Sequence, residues 1–339
     1  MMTFMNGAGI ALMCSVGHRT GLFDKMATLP PSSSAQIAAA AGLNERYVRE
    51  WLGTMTTAGI VEYDAKGKTY SLPPEHAASL TRAAGPGNLA NMAQFISLFG
   101  NVEDQVVESF HKGGGVPYSQ FPKFSGLMAE MSAQIYDATL TGVTLALVPG
   151  LVEHLRSGID VADVGCGRGH AVNLMAKEFP NSRFKGYDFS EESIDAARRE
   201  ADQMGLKNAQ FEVRDVATLD GSKKFDLMTA FDAIHDQAQP RKVLKGIADS
   251  LNPGGVFLCI DIAASSNVEE NVGHPMGPLG YMISTFHCMT VSLALGGEGL
   301  GTMWGEQKAR ELFSEAGFSS IVVRRVEGDF MNNYYVAGK

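Results

Sequence analysis

Apolar positions change their period along the chain. Over residues 6–23 and 45–58 they recur at helical spacing, with Ala8, Leu12, Val16 and Leu22 in the first stretch and Val48, Trp51, Leu52 and Met55 in the second. Between them Pro30-Pro31 ends one segment, and Ser32-Ser33-Ser34 offers caps to a helix over 35–41 that Gly42 stops. Asn44 caps the next helix and Gly59 ends it. Residues 60–63 and 69–72 then alternate as two strands around the polar turn Asp64-Ala65-Lys66-Gly67-Lys68. Helices followed by a hairpin predict a winged helix-turn-helix over 1–82.

After the break Ala83-Ala84-Gly85-Pro86-Gly87, helical spacing returns over 88–110 and 124–148, on either side of the loop Gly113-Gly114-Gly115. Residues 83–150 therefore read as a helical connector or lid. Phe95, Phe99, Tyr118, Phe121 and Tyr136 are candidates for an aromatic pocket, with plain core packing as the alternative. From residue 151 onward, strand-length apolar runs (161–164, 183–188, 210–214, 225–231, 256–261) alternate with helical segments. That alternation predicts a parallel α/β sheet over 151–339. The turn Asn252-Pro253-Gly254-Gly255 precedes the fifth strand, and two short strands, 321–323 and 334–336, close the chain.

Composition narrows the function. The 339 residues carry a net charge of −9, which argues against a general polyanion binder. The would-be recognition helix opens Asn44-Glu45-Arg46, with Glu45 and Glu50 opposing Arg46 and Arg49, so nucleic acid is not the expected partner. Cys14, Cys166, Cys259 and Cys288 are scattered, which favours a reducing compartment and predicts neither a disulfide framework nor a metal site. No stretch is long and apolar enough to span a bilayer, and the first residues lack a basic leader, so the expectation is a cytoplasmic protein without a membrane.

The candidate chemistry lies at Asp163-Val164-Gly165-Cys166-Gly167-Arg168-Gly169-His170, where a strand breaks into alternating glycines before a helix. A dinucleotide fingerprint places its third glycine one residue later, where His170 stands. The pattern suits a ligand with an adenosine and an ammonium group but no phosphates. Asp188, nineteen residues after Gly169, ends the second strand at the position of a ribose-binding carboxylate. Asp215-Val216 follows the third strand.

These features resemble the class I S-adenosylmethionine-dependent methyltransferases (EC 2.1.1.-), and the start of the chain is similar to the winged-helix dimerisation domain of small-molecule O-methyltransferases. The resemblance implies a Rossmann-like α/β fold with a seven-stranded sheet, mostly parallel with the last strand antiparallel. It implies S-adenosylmethionine as cofactor, held by Asp163, Gly165 and Gly167 at the first motif and by Asp188 and Phe189 at the second. Asp215 would sit beside the adenine amino group, Val216 would cover the ring, and Phe231 would flank the sulfonium. It also implies a homodimer.

Ala233-Ile234-His235-Asp236-Gln237 follows the fourth strand, where the family commonly carries its catalytic histidine in a His-Asp pair. His235 is the candidate general base, since an imidazole is suited to accept a proton near neutrality. Asp236-Gln237 departs from the Asp-Trp of plant-like relatives. The insertion 263–305, with His274, Met276, Tyr281, Met282, Phe286, His287, Met289 and Met303, is the expected acceptor wall. The expected partner is a small, fairly apolar acceptor methylated at oxygen. The rival reading is a regulator that senses S-adenosylmethionine or a metabolite and binds DNA through residues 44–58.

Overall fold

In the computed structural model, which describes residues 1–339, the first apolar helix runs Met2–Thr20 (α1) and stops where Gly21 adopts φ 72°. Only glycine takes that left-handed backbone at no steric cost, so the stretch expected as one helix over 6–23 becomes α1 and a short α2, Leu22–Met26. Ser33 and Gln36 form a reciprocal cap on α3, Ser34–Ala41. The Asn44 side chain accepts the Arg46 N–H at the start of α4, Glu45–Thr57. Strands β1, Glu62–Asp64, and β2, Thr69–Ser71, pair antiparallel as the wing. Three further helices follow, α5 Pro74–Leu80, α6 Leu89–Met92 and α7 Gln94–Gly100. The core of this unit joins Phe23, Ile37, Trp51, Leu52 and Met55. Phe23 meets Trp51 edge-on at 5.1 Å between ring centroids, and the Trp51 indole N–H donates to the Met13 carbonyl.

The chain divides into two units, Met1–Asn101 and Val102–Lys339. The boundary falls inside the stretch expected as a connector, 83–150. The helical run expected over 88–110 is three helices, the last being α8, Glu103–Lys112, in the second unit. Phe95 and Phe99 stack on each other within the first unit.

In the second unit α9, Phe124–Thr139, ends in a π-helical turn, Leu140–Thr144, before α10, Leu151–Ser157. The expected helix over 124–148 is therefore shorter. The alternation then runs β3 Asp160–Val164, α11 His170–Glu178, β4 Arg183–Asp188, α12 Glu191–Gln203, β5 Ala209–Val213, β6 Phe225–Phe231, α13 Pro240–Ser250 and β7 Leu251–Ile262. The insertion holds α14, Gly277–Ile283, a π-helical turn, Ser284–Cys288, and α15, Met289–Ala294. The chain closes with α16 Gly305–Ala316, β8 Ser320–Arg324 and β9 Asn332–Gly338.

The seven strands lie in the order β5-β4-β3-β6-β7-β9-β8, with β9 antiparallel to both neighbours and the rest parallel. The alternation predicts such an α/β sheet, and its seven strands with the last antiparallel are what the resemblance implies. Asn252-Pro253-Gly254-Gly255 lies inside β7 as a bulge, since the register jumps from Phe225 opposite Leu251 to Leu227 opposite Val256. The strand order reverses at β3, between β4 and β6, and that crevice is where open parallel sheets bind ligands. No single helix is long and apolar enough to cross a membrane.

Candidate active site

The turn after β3 is built by three left-handed glycines, Gly165 (φ 71°), Gly167 (52°) and Gly169 (77°). A Cβ on Gly165 would fall 2.6 Å from the Ala233 methyl, and one on Gly169 would fall 2.5 Å from Ala197. Gly167 has nothing within 4 Å of that position, so the middle of the loop is open on its outer side. The loop is pinned from β4: the N–H groups of Gly165 and Cys166 donate to the Tyr187 carbonyl. The Gly167 N–H donates to Asp188 Oδ2 at 2.9 Å, and Ser190 N–H to Asp188 Oδ1 at 2.9 Å.

Two carboxylates lie under this loop. Asp163 is buried and accepts the Thr229 hydroxyl at 2.6 Å, across the β3–β6 register that sets the two residues side by side. Burial pushes its carboxyl up to about 7; the Thr229 hydrogen bond opposes this and the nearby Asp188 adds to it. Burial also raises Asp188, against the N–H groups of Ser190 and Gly167. Each Asp188 oxygen takes one backbone donor and keeps acceptor capacity for a second.

Other expected site residues lie as follows. Asp215 is exposed, and its carboxylate accepts the Ala217 N–H at 2.9 Å. The Val216 side chain is buried in the core cluster with Tyr187 and Val243. Phe231, at the end of β6, is buried with its ring 5.6 Å from that of Tyr136. Phe189 is 58% exposed and meets the Tyr118 ring edge-on at 5.2 Å.

After β6 the chain turns at Asp232, a non-glycine residue at φ 56°. Such a backbone costs about 1–3 kcal/mol and persists where the surroundings impose it. The turn brings Ala233 against Gly165 and buries His235. His235 Nδ1 lies 2.9 Å from Asp261 Oδ1 and 3.7 Å from Asp232 Oδ1. An ionised carboxylate only accepts, so the short contact puts the proton on Nδ1 and leaves Nε2 as the basic nitrogen. Burial opposes charge on the imidazole, but Asp261, with Cys288 against the same ring, outweighs it and raises His235 well above its ordinary range. Burial pushes Asp236 up to about 7; His235 counters this, and Asp232, Asp188 and Asp261 add to it.

Asp261 escapes the sequence reading as a site residue. Its signal was present, an acid ending an apolar strand just as Asp188 does. Asp232, His235 and Asp261 bring their donor atoms within 4.8 Å of one another. Asp261 Oδ1 already takes three N–H donors, from His235, Trp304 and Ile262, which makes the arrangement a hydrogen-bonded dyad.

Rings gather beside the dyad. His287 stacks on Phe124 at 3.6 Å and meets Phe121 at 4.8 Å and Tyr118 at 5.8 Å edge-on. Burial, with His235 nearby, lowers His287 to about 3, so it is a neutral ring at physiological pH. Burial, with Asp188 and Asp236 nearby, pushes the Tyr118 hydroxyl well up. Helix α9, which carries Phe124, is fastened to the glycine loop. Arg168 Nε donates to the Ser125 hydroxyl at 3.0 Å, and His170 lies between Asp137 (3.0 Å) and Glu200 (2.6 Å).

Residues 8–82 match the family described as an Rv2258c-like winged HTH domain, and residues 155–317 match a methyltransferase domain. The chain is 32% identical over 99 residues to a ubiquinone biosynthesis O-methyltransferase of Coxiella burnetii, covering 29% of this chain and 41% of that protein. It is 26% identical over 156 residues to a fatty-acid O-methyltransferase of Mycolicibacterium smegmatis, covering 46% and 51%. The chain thus spans about half or less of the length of these curated relatives. The crystal structure of human N-acetylserotonin methyltransferase in complex with S-adenosylmethionine superposes with a TM-score of 0.70 at 15% identity, covering 99% of this chain and 95% of that one.

Proposed function

For a chain that joins a winged helix-turn-helix domain to a class I methyltransferase domain, we propose S-adenosylmethionine-dependent methyl transfer to the oxygen of a small, fairly apolar acceptor, with His235 as general base. The observation that carries this reading is the pairing of an open glycine loop over two desolvated carboxylates, Asp163 and Asp188, with a buried His235–Asp261 dyad alongside. Carboxylates raised by burial gain most from a cationic ligand. The uncovered Gly167 leaves room for a ligand against the main chain, and Asp188 has acceptor capacity left for ribose hydroxyls. Phe189, exposed beside them, offers a face to a flat base.

S-adenosylmethionine, when bound, supplies a methyl group on a sulfonium for in-line displacement by a nucleophile. The chain supplies the rest. Tyr118, Phe121, Phe124 and neutral His287 form a wall that orients an apolar acceptor and excludes water. His235 Nε2 takes the proton of the acceptor hydroxyl while Asp261 holds Nδ1–H. Calorimetric titration with S-adenosylhomocysteine tests the reading: saturable binding is expected, and no heat at millimolar ligand rejects it.

The homodimer belongs to the same proposal. Helix α1 exposes Met2, Phe4, Met5, Leu12 and Val16, an apolar face that a second copy would cover. A dimer in light scattering that Phe4→Glu and Met5→Glu together convert to monomer is the expected result. The DNA-binding alternative finds less support, because the α4 arginines are paired with glutamates of the same helix.

A further inference from the structure

Asp261 is the fixed point beside the candidate base. Its Oδ1 receives the His235 Nδ1–H at 2.9 Å, the Trp304 indole N–H at 3.0 Å and the Ile262 N–H at 2.8 Å. The Asp261, His235 and Trp304 side chains are buried, and Asp261 Oδ2 has no partner. Trp304 arrives from 43 residues along the chain, at the end of the insertion, just before α16. That segment is held on both sides of the indole. The Gly301 N–H donates to the His235 carbonyl at 3.0 Å, and the Trp304 carbonyl accepts the Ser266 hydroxyl at 2.6 Å. Gly305 is left-handed and packs so tightly that a Cβ would lie 2.1 Å from Ser266 N.

A carboxylate oxygen divides its charge among its donors. With His235 as its strong donor alone, Asp261 would hold the imidazolium more firmly still, and a firmly held proton makes a poorer base. The indole N–H donates only and does not titrate.

We propose that Trp304 is a positioning residue for His235, acting through Asp261: its indole N–H takes a share of the carboxylate's charge and so keeps the imidazole less basic than Asp261 without that donor would make it. The inference rests on His235 being the base of the proposed reaction. The other ionisable groups facing the imidazole are Asp232 and Asp236 on its own turn and His287 and Cys288 on the π-helical turn of the insertion, and none of them is changed in the variants below.

The test is a pH titration of the full chain labelled with nitrogen-15 at histidine, with His235 assigned by the signal lost in His235→Gln. In Trp304→Phe the His235 midpoint should rise by about half a pH unit or more, and its Nδ1 proton should move downfield. Because Phe leaves a gap, a second variant carries 3-benzothienylalanine at position 304, which keeps the outline and replaces N–H by sulfur. The same rise is expected there, and an unchanged or lowered midpoint overturns the proposal. The S-adenosylhomocysteine titration separates the two failures. A wild-type chain that binds none rejects the proposed reaction, whereas binding with an unshifted His235 rejects only the role of Trp304.

Discussion

The two units handle charge in opposite ways. On the winged helix the ions neutralise each other at the surface: Arg46 meets Glu50 at 2.5 Å, Arg49 meets Glu45 at 2.6 Å, and Arg82 meets Asp24 at 2.6 Å. Around the crevice of the second unit, Asp163, Asp188, Asp232, Asp236 and Asp261 are drawn out of water, with the His235 ring beside Asp232 and Asp261. A charge that already has its partner has little to offer a ligand. A desolvated charge without one lowers the stability of the empty protein and is available for binding. Motif content alone would have assigned binding to both regions; the pairing of the ions separates them.

The contrast can be tested, beginning where the effect should be largest. His235→Ala should lower turnover by about 10²–10⁴-fold once an acceptor is found, with S-adenosylhomocysteine affinity unchanged in calorimetry. Equal loss of both would make His235 a structural residue. Asp188→Asn keeps the outline but removes the charge, and should weaken S-adenosylhomocysteine binding by about tenfold or more.

Asp163→Asn should weaken binding while stabilising the ligand-free protein. The folded carboxyl titrates near 7 against 3.8 in the unfolded chain. The native state therefore binds more protons between those values, and stability is lost as pH rises through that window. Removing the group should raise the melting temperature at pH 8 by the equivalent of about 1–3 kcal/mol and leave pH 3 little changed. A variant that melts lower at pH 8 would contradict this. The smallest effect belongs to the first unit. Glu50→Gln should change stability by about 0.5 kcal/mol or less, because Arg46–Glu50 is an exposed pair on one helix turn. A DNA mobility shift should appear neither before nor after that change.

Legibility followed sequence distance. The glycine loop, Asp188 and the strand alternation could be read because each is a local pattern. The break of α1 at Gly21 and the division of residues 88–110 into three helices were missed because helical spacing persists across single residues that take left-handed or turn conformations. His235 was legible from its place after β6, but its partner was not. The contact with Asp261 spans 26 residues and that with Trp304 a further 43; Asp261 ends an apolar strand as Asp188 does, but nothing local says that it meets His235. Val216 shows the converse. Position in a motif suggested a ring cover, whereas its apolar side chain packs into the core.

The fastening of α9 constrains any attempt to redesign the proposed site. Phe124 stands at one end of that helix, and Ser125 and Asp137 tie it to Arg168 and His170, the residues on either side of Gly169. Exchanging aromatic residues to admit a different acceptor would move a helix that leans on the glycine loop. Selectivity and cofactor grip are therefore not independent dials, and libraries aimed at one should be screened for both.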